Sequence, residues 1–267
     1  MNKAADTMTT PKEDGADDRR YRAPALEKGL DIMELLATEP MPLNASAIVQ
    51  RLGRSTGELF RMIQVLEHRG FVSQGPDGYS LTTKLFEMGL ARPPVRNLVE
   101  IAIPVMRRLS TEIAQSCHLA LPSRGNIVIV ARMESHELIG FSVRVGYRQP
   151  MHLTASGAVL YTYQPGDTRA HWEAMFDPAP SSAELERFRE QSEQIRECGH
   201  YRMASSFIAG ITDIAAPVMR GELAAAALCV PLVKLLGEQM PVEEVILRVH
   251  AAAEEISSEL LQSDGRV

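Results

Sequence analysis

In the first third of the chain, apolar residues recur at helical spacing in separate blocks. Leu26, Leu30, Met33 and Ala37 follow at intervals of four, three and four, predicting a helix from about Ala25 that Pro40 and Pro42 end. A short second helix is expected from Asn44 or Ser46 to Leu52, with Gly53 as its stop. Ser55 or Thr56 can cap a third, whose buried stripe is read as Leu59, Met62, Ile63 and Leu66 and which Gly70 closes. Strand-like segments then take over. Phe71-Val72-Ser73 and Tyr79-Ser80-Leu81 flank Gln74-Gly75-Pro76-Asp77-Gly78, whose turn chemistry predicts a hairpin with Tyr79 as a core residue. Three helices with a tight middle turn, followed at once by a hairpin, are the order of a winged helix-turn-helix.

Thr82 or Thr83 can cap a further helix through Leu85, Phe86 and Met88, and Pro93-Pro94 are expected to break it and mark a domain boundary. Asn97 with Glu100 resembles a capping box opening a helix that carries Leu98, Ile101, Val105 and Leu109 on one face. Ile127 to Val130 and the alternating Phe141-Ser142-Val143-Arg144-Val145 read as strands. Ala155 to Tyr163 reads as a short helix, and Glu184 to Arg196 as a charged, exposed one. Ala224 to Val230 is taken as a buried strand despite its alanines. Val242, Val245, Ile246, Val249, Ala253, Ile256 and Leu260 mark a long C-terminal helix. Strands and helices that do not alternate regularly imply an α+β domain with a mainly antiparallel sheet. The resulting division is a disordered tail at 1–18, poor in large apolar residues, a winged helix-turn-helix at 19–81, a linker helix at 82–93 and a second domain at 94–267.

Composition narrows the class. A chain of 267 residues, 45% hydrophobic and 23% charged, is neither wholly disordered nor too short for two domains. Three scattered cysteines imply a reducing compartment rather than a disulfide framework. No apolar run reaches the ~18–20 residues of a membrane span, and the N-terminus lacks the apolar core of a signal peptide, so a cytoplasmic protein with no membrane partner is expected. The net charge of -6 is uneven. Arg19 to Arg92 holds ten basic and eight acidic residues (+2), whereas Pro93 to Val267 holds sixteen and twenty-one (-5). The front third therefore tolerates a polyanion better than the rest.

The helix-turn-helix carries the clearest chemistry. With one stripe of the third helix buried, Ser55, Thr56, Glu58, Arg61, Gln64 and His68 face outward, and Arg54 lies in the turn. Arginine suits guanine edges or phosphates, glutamine suits adenine, and hydroxyls at a helix start suit phosphate. The same positions would also make an ordinary solvated face; the hairpin behind them favours double-stranded DNA. Arg19, Arg20 and Arg22 form a basic arm suited to a minor groove or to phosphates, with a solubilising tail as the other reading. Cys117-His118 and Cys198-x-His200 lack the spacing of a structural zinc site. Ser156-Gly157 lacks a nucleophile elbow, and the chain has no Gly-rich phosphate loop. No cofactor, metal or catalytic residue is expected.

Several segments together resemble the IclR-type bacterial transcriptional regulators. They are Ala25-Leu26-Glu27-Lys28-Gly29-Leu30-Asp31-Ile32; Gly53-Arg54-Ser55-Thr56 with Arg61; the Pro-Asp-Gly-Tyr wing; the run Arg144 to His152 followed by Thr154-Ala155-Ser156-Gly157; and Ala209-Gly210-Ile211 with Ile214-Ala215-Ala216-Pro217-Val218. The resemblance implies a homodimer or dimer of dimers, with the winged domain on operator DNA. It also implies a GAF-like C-terminal domain that senses a small organic acid or aromatic metabolite. Carried over by position, effector contacts would come from Ala155 and Ser156 at a helix start, Met203, Ile211 and Asp213, with Phe141 and Val143 as an apolar wall and His118 and Arg132 as further candidates. A helix N-terminus suits a carboxylate ligand. Gly57, Ala158-Val159 and Gly199-His200-Tyr201 depart from the family pattern. Asp213 is expected to be partly buried and so to need a hydrogen-bond donor, from protein or ligand. The competing reading is a ligand-independent DNA-binding regulator with a purely structural C-terminal dimerisation domain.

Overall fold

Helix α1 spans Pro24–Thr38 and carries proline in its first turn, where a missing N–H breaks no helical bond. In the computed structural model, which describes residues 23–90, 93–137, 140–234 and 240–264, its buried side is Gly29, Ile32 and Leu36. The stripe read from sequence is not the buried one: Leu26 and Leu30 are 63% and 43% exposed. The apolar arc of α1 is wider than the part that packs on the rest of its domain, and tertiary contact with α3 selects the side. The tail at 1–18 and the arm residues Arg20 and Arg22 lie outside the described residues.

Helix α2, Ala45–Leu52, is capped by the Asn44 side chain, which accepts from Ala47 N at 2.9 Å. Gly53 ends it in the left-handed region at φ 61°. Helix α3, Thr56–His68, buries Leu59, Ile63 and Leu66, with Met62 half-buried. Strands β1, Val72–Gly75, and β2, Gly78–Leu81, form a hairpin turning through Pro76 and Asp77. Leu43 adds a bridge: its N–H donates to Tyr79 O at 3.0 Å and its carbonyl accepts from Tyr79 N at 2.8 Å. Tyr79 is buried with Ile32, Leu36 and Ile48 in the core of this unit. Helix α4 follows at Lys84–Leu90. The chain divides into two compact units at residues 1–91 and 92–267.

The second unit opens with α5, Pro93–Ile113. Pro93-Pro94 thus start a helix rather than only ending one, since proline at the first turn is preorganised for it. The capping box expected at Asn97 does not form, because Asn97 is already helical and its Nδ2 donates to Ser263 Oγ at 3.3 Å.

Six strands make one antiparallel sheet in the order β5-β4-β3-β8-β7-β6. They are β3 Cys117–Ser123, β4 Asn126–Met133, β5 Arg148–Pro150, β6 Tyr201–Ala204, β7 Ile211–Arg220 and β8 Leu223–Val233. Helix α5 and the C-terminal α9, Val242–Asp264, cover one face. The other is covered by α6, Ala155–Thr162, and α8, Ser182–Cys198, with the short α7, Gly166–Glu173, between them in sequence. Strand β8 serves both cores, sending Ala226, Leu228 and Val230 to the first and Ala224, Ala227 and Cys229 to the second. The switch in parity comes from a bulge: Val218 pairs with Ala226 but Met219 with Ala224, which leaves Ala225 as the extra residue.

Phe141 to Val145 is not a strand. Ile129 already gives its N–H to Tyr147 O at 3.0 Å and receives Gly146 N at 2.8 Å. With Gly146 reversing the chain at φ 85°, the residues before it run as a loop over the sheet.

Candidate functional site

In the N-terminal unit the outward face of α3 presents Thr56, Arg61 and Gln64, all exposed, with Ser55 exposed at its N-cap. Arg54 and Glu58 are occupied within the unit. Arg54 Nη2 donates to Asp31 Oδ2 at 2.9 Å, and Lys28 Nζ donates to Glu58 Oε1 at 2.9 Å. Both pairs tie the turn and the start of α3 to α1. The Lys28 ammonium holds the Glu58 carboxyl below the usual carboxylate range. Among the described residues Arg61 forms no side-chain ion pair, so an exposed cation stands on this outward face.

In the C-terminal unit a cavity of about 280 Å³ lies between the sheet and the loops over it. Its floor is built by register. His118 on β3 pairs with Cys229 on β8, Cys229 pairs with Ala215 on β7, and Asp213 stands two residues along β7 on the same face. Ile127 and Ile129 of β4 extend the floor. The walls are Phe141 and Val143 from one loop, Phe207 and Ile208 from another, and the start of α6 at Ala155 and Ser156. Thr154 caps α6 by accepting from Gly157 N at 3.0 Å.

The floor's polar groups are few. His118 is buried, its Nδ1 has no hydrogen-bond partner, and burial pushes its pKa down to about 4, so the ring is neutral at pH 7. Burial raises the Asp213 carboxyl above its ordinary value, opposed by a hydrogen bond with the Ser205 side chain. The Cys229 thiol is pushed well up by burial and by the nearby Asp213 charge, against a hydrogen bond with Ser156. The floor therefore holds a neutral imidazole, a protonated thiol and one acid. A concave, mainly apolar space with a few converging polar groups is the form of a small-molecule site.

Of the residues predicted for an effector, His118, Phe141, Val143, Ala155, Ser156 and Asp213 line this one cavity. Met203 does not: although opposite Asp213 in register, it lines a neighbouring cavity with His152, Phe188 and Gln191. Ile211 is buried at the start of β7 outside the cavity lining, and Arg132 pairs with Glu134 at 2.8 Å. Sequence reasoning missed Cys229, Ser205, Phe207 and Ile208. Cys229 sits in an apolar run with no polar signal around it, and the loop residues were visible only as a gap between strands. Among the described residues no group of three or more His, Cys, Asp or Glu side chains is placed to hold a metal ion, and no helix is long and apolar enough to cross a membrane.

Comparison with known proteins decides the family. Residues 94–258 match the family model for the bacterial transcriptional regulator IclR C-terminal domain, and residues 25–76 match the IclR helix-turn-helix domain. The chain belongs to the IclR family. Among its IclR-family relatives, the HTH-type transcriptional regulator KdgR of Escherichia coli K12 is 26% identical over 243 residues, covering 87% of this chain and 91% of that protein. The probable transcriptional regulator SauR of Cupriavidus necator is 24% identical over 225 residues, covering 81% and 89%. The fold matches that of an IclR homolog from Microbacterium hydrocarbonoxydans, complexed with 4-hydroxybenzoate, at a TM-score of 0.73, with 22% identity over 88% of this chain and 98% of that one. Pseudomonas aeruginosa HmgR gives a TM-score of 0.69 at 22% identity, covering 88% and 98%. This IclR-family chain is a transcriptional regulator with a DNA-binding helix-turn-helix, not an enzyme.

Proposed function

We propose that the protein is an effector-responsive regulator: its N-terminal unit binds an operator as a homodimer, and a small molecule in the C-terminal cavity changes that affinity. The cavity of about 280 Å³, with the orphaned His118 Nδ1 and the Asp213 carboxylate on its floor, carries this reading. Arg61, Gln64, Ser55 and Thr56 contact the duplex, with Arg20 and Arg22 reaching it from the arm. Arg54 and Glu58 hold α3 in place through Asp31 and Lys28. Effector contacts come from His118, Phe141, Val143, Ala155, Ser156 and Asp213. An acid group on the effector suits the start of α6, whose first residues, Ala155 and Ser156, line the same cavity.

The size of the site supports a compound with one aromatic ring. The neighbour that holds 4-hydroxybenzoate has this fold and provides a precedent for that scale of ligand. Self-association is supported by apolar residues left exposed in the N-terminal unit: Leu26 and Leu30 on α1, and Leu85, Phe86 and Met88 on α4. An effector acts by preferring one of two dimer states, a coupling of typically ~1–3 kcal/mol. The α4 segment, within the 82–93 stretch that leads into the C-terminal unit, is the element placed to carry it. A purely structural C-terminal domain would fill its interior with side chains; the open cavity favours the effector reading.

The test is selection of genomic fragments by the purified full chain at ~150 mM salt, where non-specific binding is weak, with and without pooled metabolites. An enriched inverted repeat whose recovery changes with the pool is the expected result. An enriched site indifferent to every pool would leave only the ligand-independent regulator.

A further inference from the structure

We infer that the effector carries a protonated nitrogen, an ammonium or amidinium group, which docks on the Asp213 carboxylate. The inference rests on the reading of this cavity as the effector site and specifies what that site selects.

Asp213 projects from β7 into the cavity floor and is half-buried there. Its hydrogen-bond partner within the unit is the Ser205 side chain, from the loop between β6 and β7. Among the described residues no lysine or arginine forms an ion pair with it. Arg144 also lines the cavity, but it is exposed on the loop before Gly146. The remaining floor groups bring no positive charge, because His118 stays neutral and the Cys229 thiol keeps its proton. Ile127, Ile129, Phe141 and Phe207 line the rest of the cavity and offer no hydrogen bonds from their side chains.

A partly desolvated carboxylate that accepts one neutral hydrogen bond is incompletely compensated. A ligand cation supplies both a charge and charge-assisted hydrogen bonds, which are about twice as strong as neutral ones. A second carboxylate at the same place would meet like-charge repulsion in a low-dielectric space. His118, two strands away, lines the same cavity and its Nδ1 is without a hydrogen-bond partner. An acid group on the ligand is accommodated only at a different end, toward α6 or Arg144.

Three probes that share one ring and one acid isolate the far group: 4-(aminomethyl)benzoate, 4-methylbenzoate and terephthalate. Isothermal titration calorimetry on the full chain at pH 7.5 should place them in that order, with at least tenfold tighter binding of the aminomethyl compound than of terephthalate. In Asp213→Asn the aminomethyl preference should fall at least tenfold, while terephthalate should improve. Asp213→Ser, checked for an unchanged far-ultraviolet spectrum, should behave the same way. Terephthalate binding as tightly as the aminomethyl compound, or an order unmoved by both variants, overturns the assignment of Asp213 alone. If none of the three binds the wild-type chain, the cation assignment falls, whereas the effector reading falls only with an operator indifferent to every metabolite pool.

Discussion

A β-carbon on Gly157 would lie 2.1 Å from the carbonyl oxygen of Met151. The α6 backbone is therefore seated against the turn that precedes it, and the Thr154 cap fixes where the helix begins. Only glycine permits that approach. Gly157→Ala should destabilise the C-terminal unit by about 2 kcal/mol, since backbone, not a flexible side chain, must shift. The shift would reach Ala155 and Ser156 in the cavity wall. Thermal melts of the variant check the first effect and probe binding checks the second; an unchanged melting midpoint would show that the turn yields freely.

On the proposed DNA face, exposure singles out Arg61 and Gln64 as contacts to test, and pairing singles out Lys28 as a positioning residue. Arg61→Ala and Gln64→Ala should each weaken operator binding by ~1–3 kcal/mol while leaving the melting midpoint unchanged. Fluorescence anisotropy with a selected operator fragment measures this. Lys28→Met, which breaks the exposed pair with Glu58, should cost stability of less than about 1 kcal/mol. It should also lower affinity, by freeing an acid on α3. Wild-type affinity in the Arg61 variant would remove that residue from the interface.

His118 sets a pH dependence whose sign is fixed by burial. Its folded pKa is about 4 against an ordinary 6.5, so the unfolded chain takes up the proton first as pH falls. The stability held by the neutral ring is complete above about pH 6.5 and is lost progressively toward pH 4. His118→Leu should therefore flatten the fall in melting temperature of the C-terminal unit across that window, relative to wild type. Melts at pH 7.0 and 4.5 on both proteins decide it, because the carboxylates titrate alike in each. Parallel curves would mean that the ring is solvated and charged in the fold.

The apolar residues left open on α1 and α4 lead to an association experiment. Leu30→Glu combined with Phe86→Glu should raise the dimer dissociation constant at least tenfold without unfolding the N-terminal unit, because both side chains are exposed within it. Sedimentation equilibrium measures the change. A dimer as tight as wild type would place self-association wholly in the C-terminal unit.

Local chemistry made most of the fold legible. Asn44, Gly53 and the Pro76-Asp77-Gly78 turn each have one dominant use, and each is found in it. The errors came where two packings satisfy the same spacing. On α1 the set Leu26, Leu30, Met33, Ala37 and the set Gly29, Ile32, Leu36 are both helical stripes, and only contact with α3 distinguishes them. Gly29 contributes no side chain, which hid the true face. Phe141 to Val145 alternates like a strand, yet no strand pairs there and Phe141 to Arg144 line the cavity in succession as a loop. Pro93-Pro94 read equally well as a stop or a start. Within the cavity, Asp213 was legible as an acid in need of a donor, and Ser205 supplies one. Met203 was misplaced because position in register does not say which of two adjacent hollows a long side chain enters.

The bulge at Ala225 gives the alanine run of β8 a reading frame. Ala224 to Ala227 looks like interchangeable filler, yet the run is a counted spacer between two layers of the protein. The count includes one residue of slack, because Ala225 has no partner on β7. Deleting it would close the bulge and leave Ala224 and Ala226 adjacent, facing the opposite layers they face already, with Leu228 and Cys229 on their present sides. A single-codon deletion there should therefore be milder than replacing Ala226 or Ala227, both fully buried, by a large side chain.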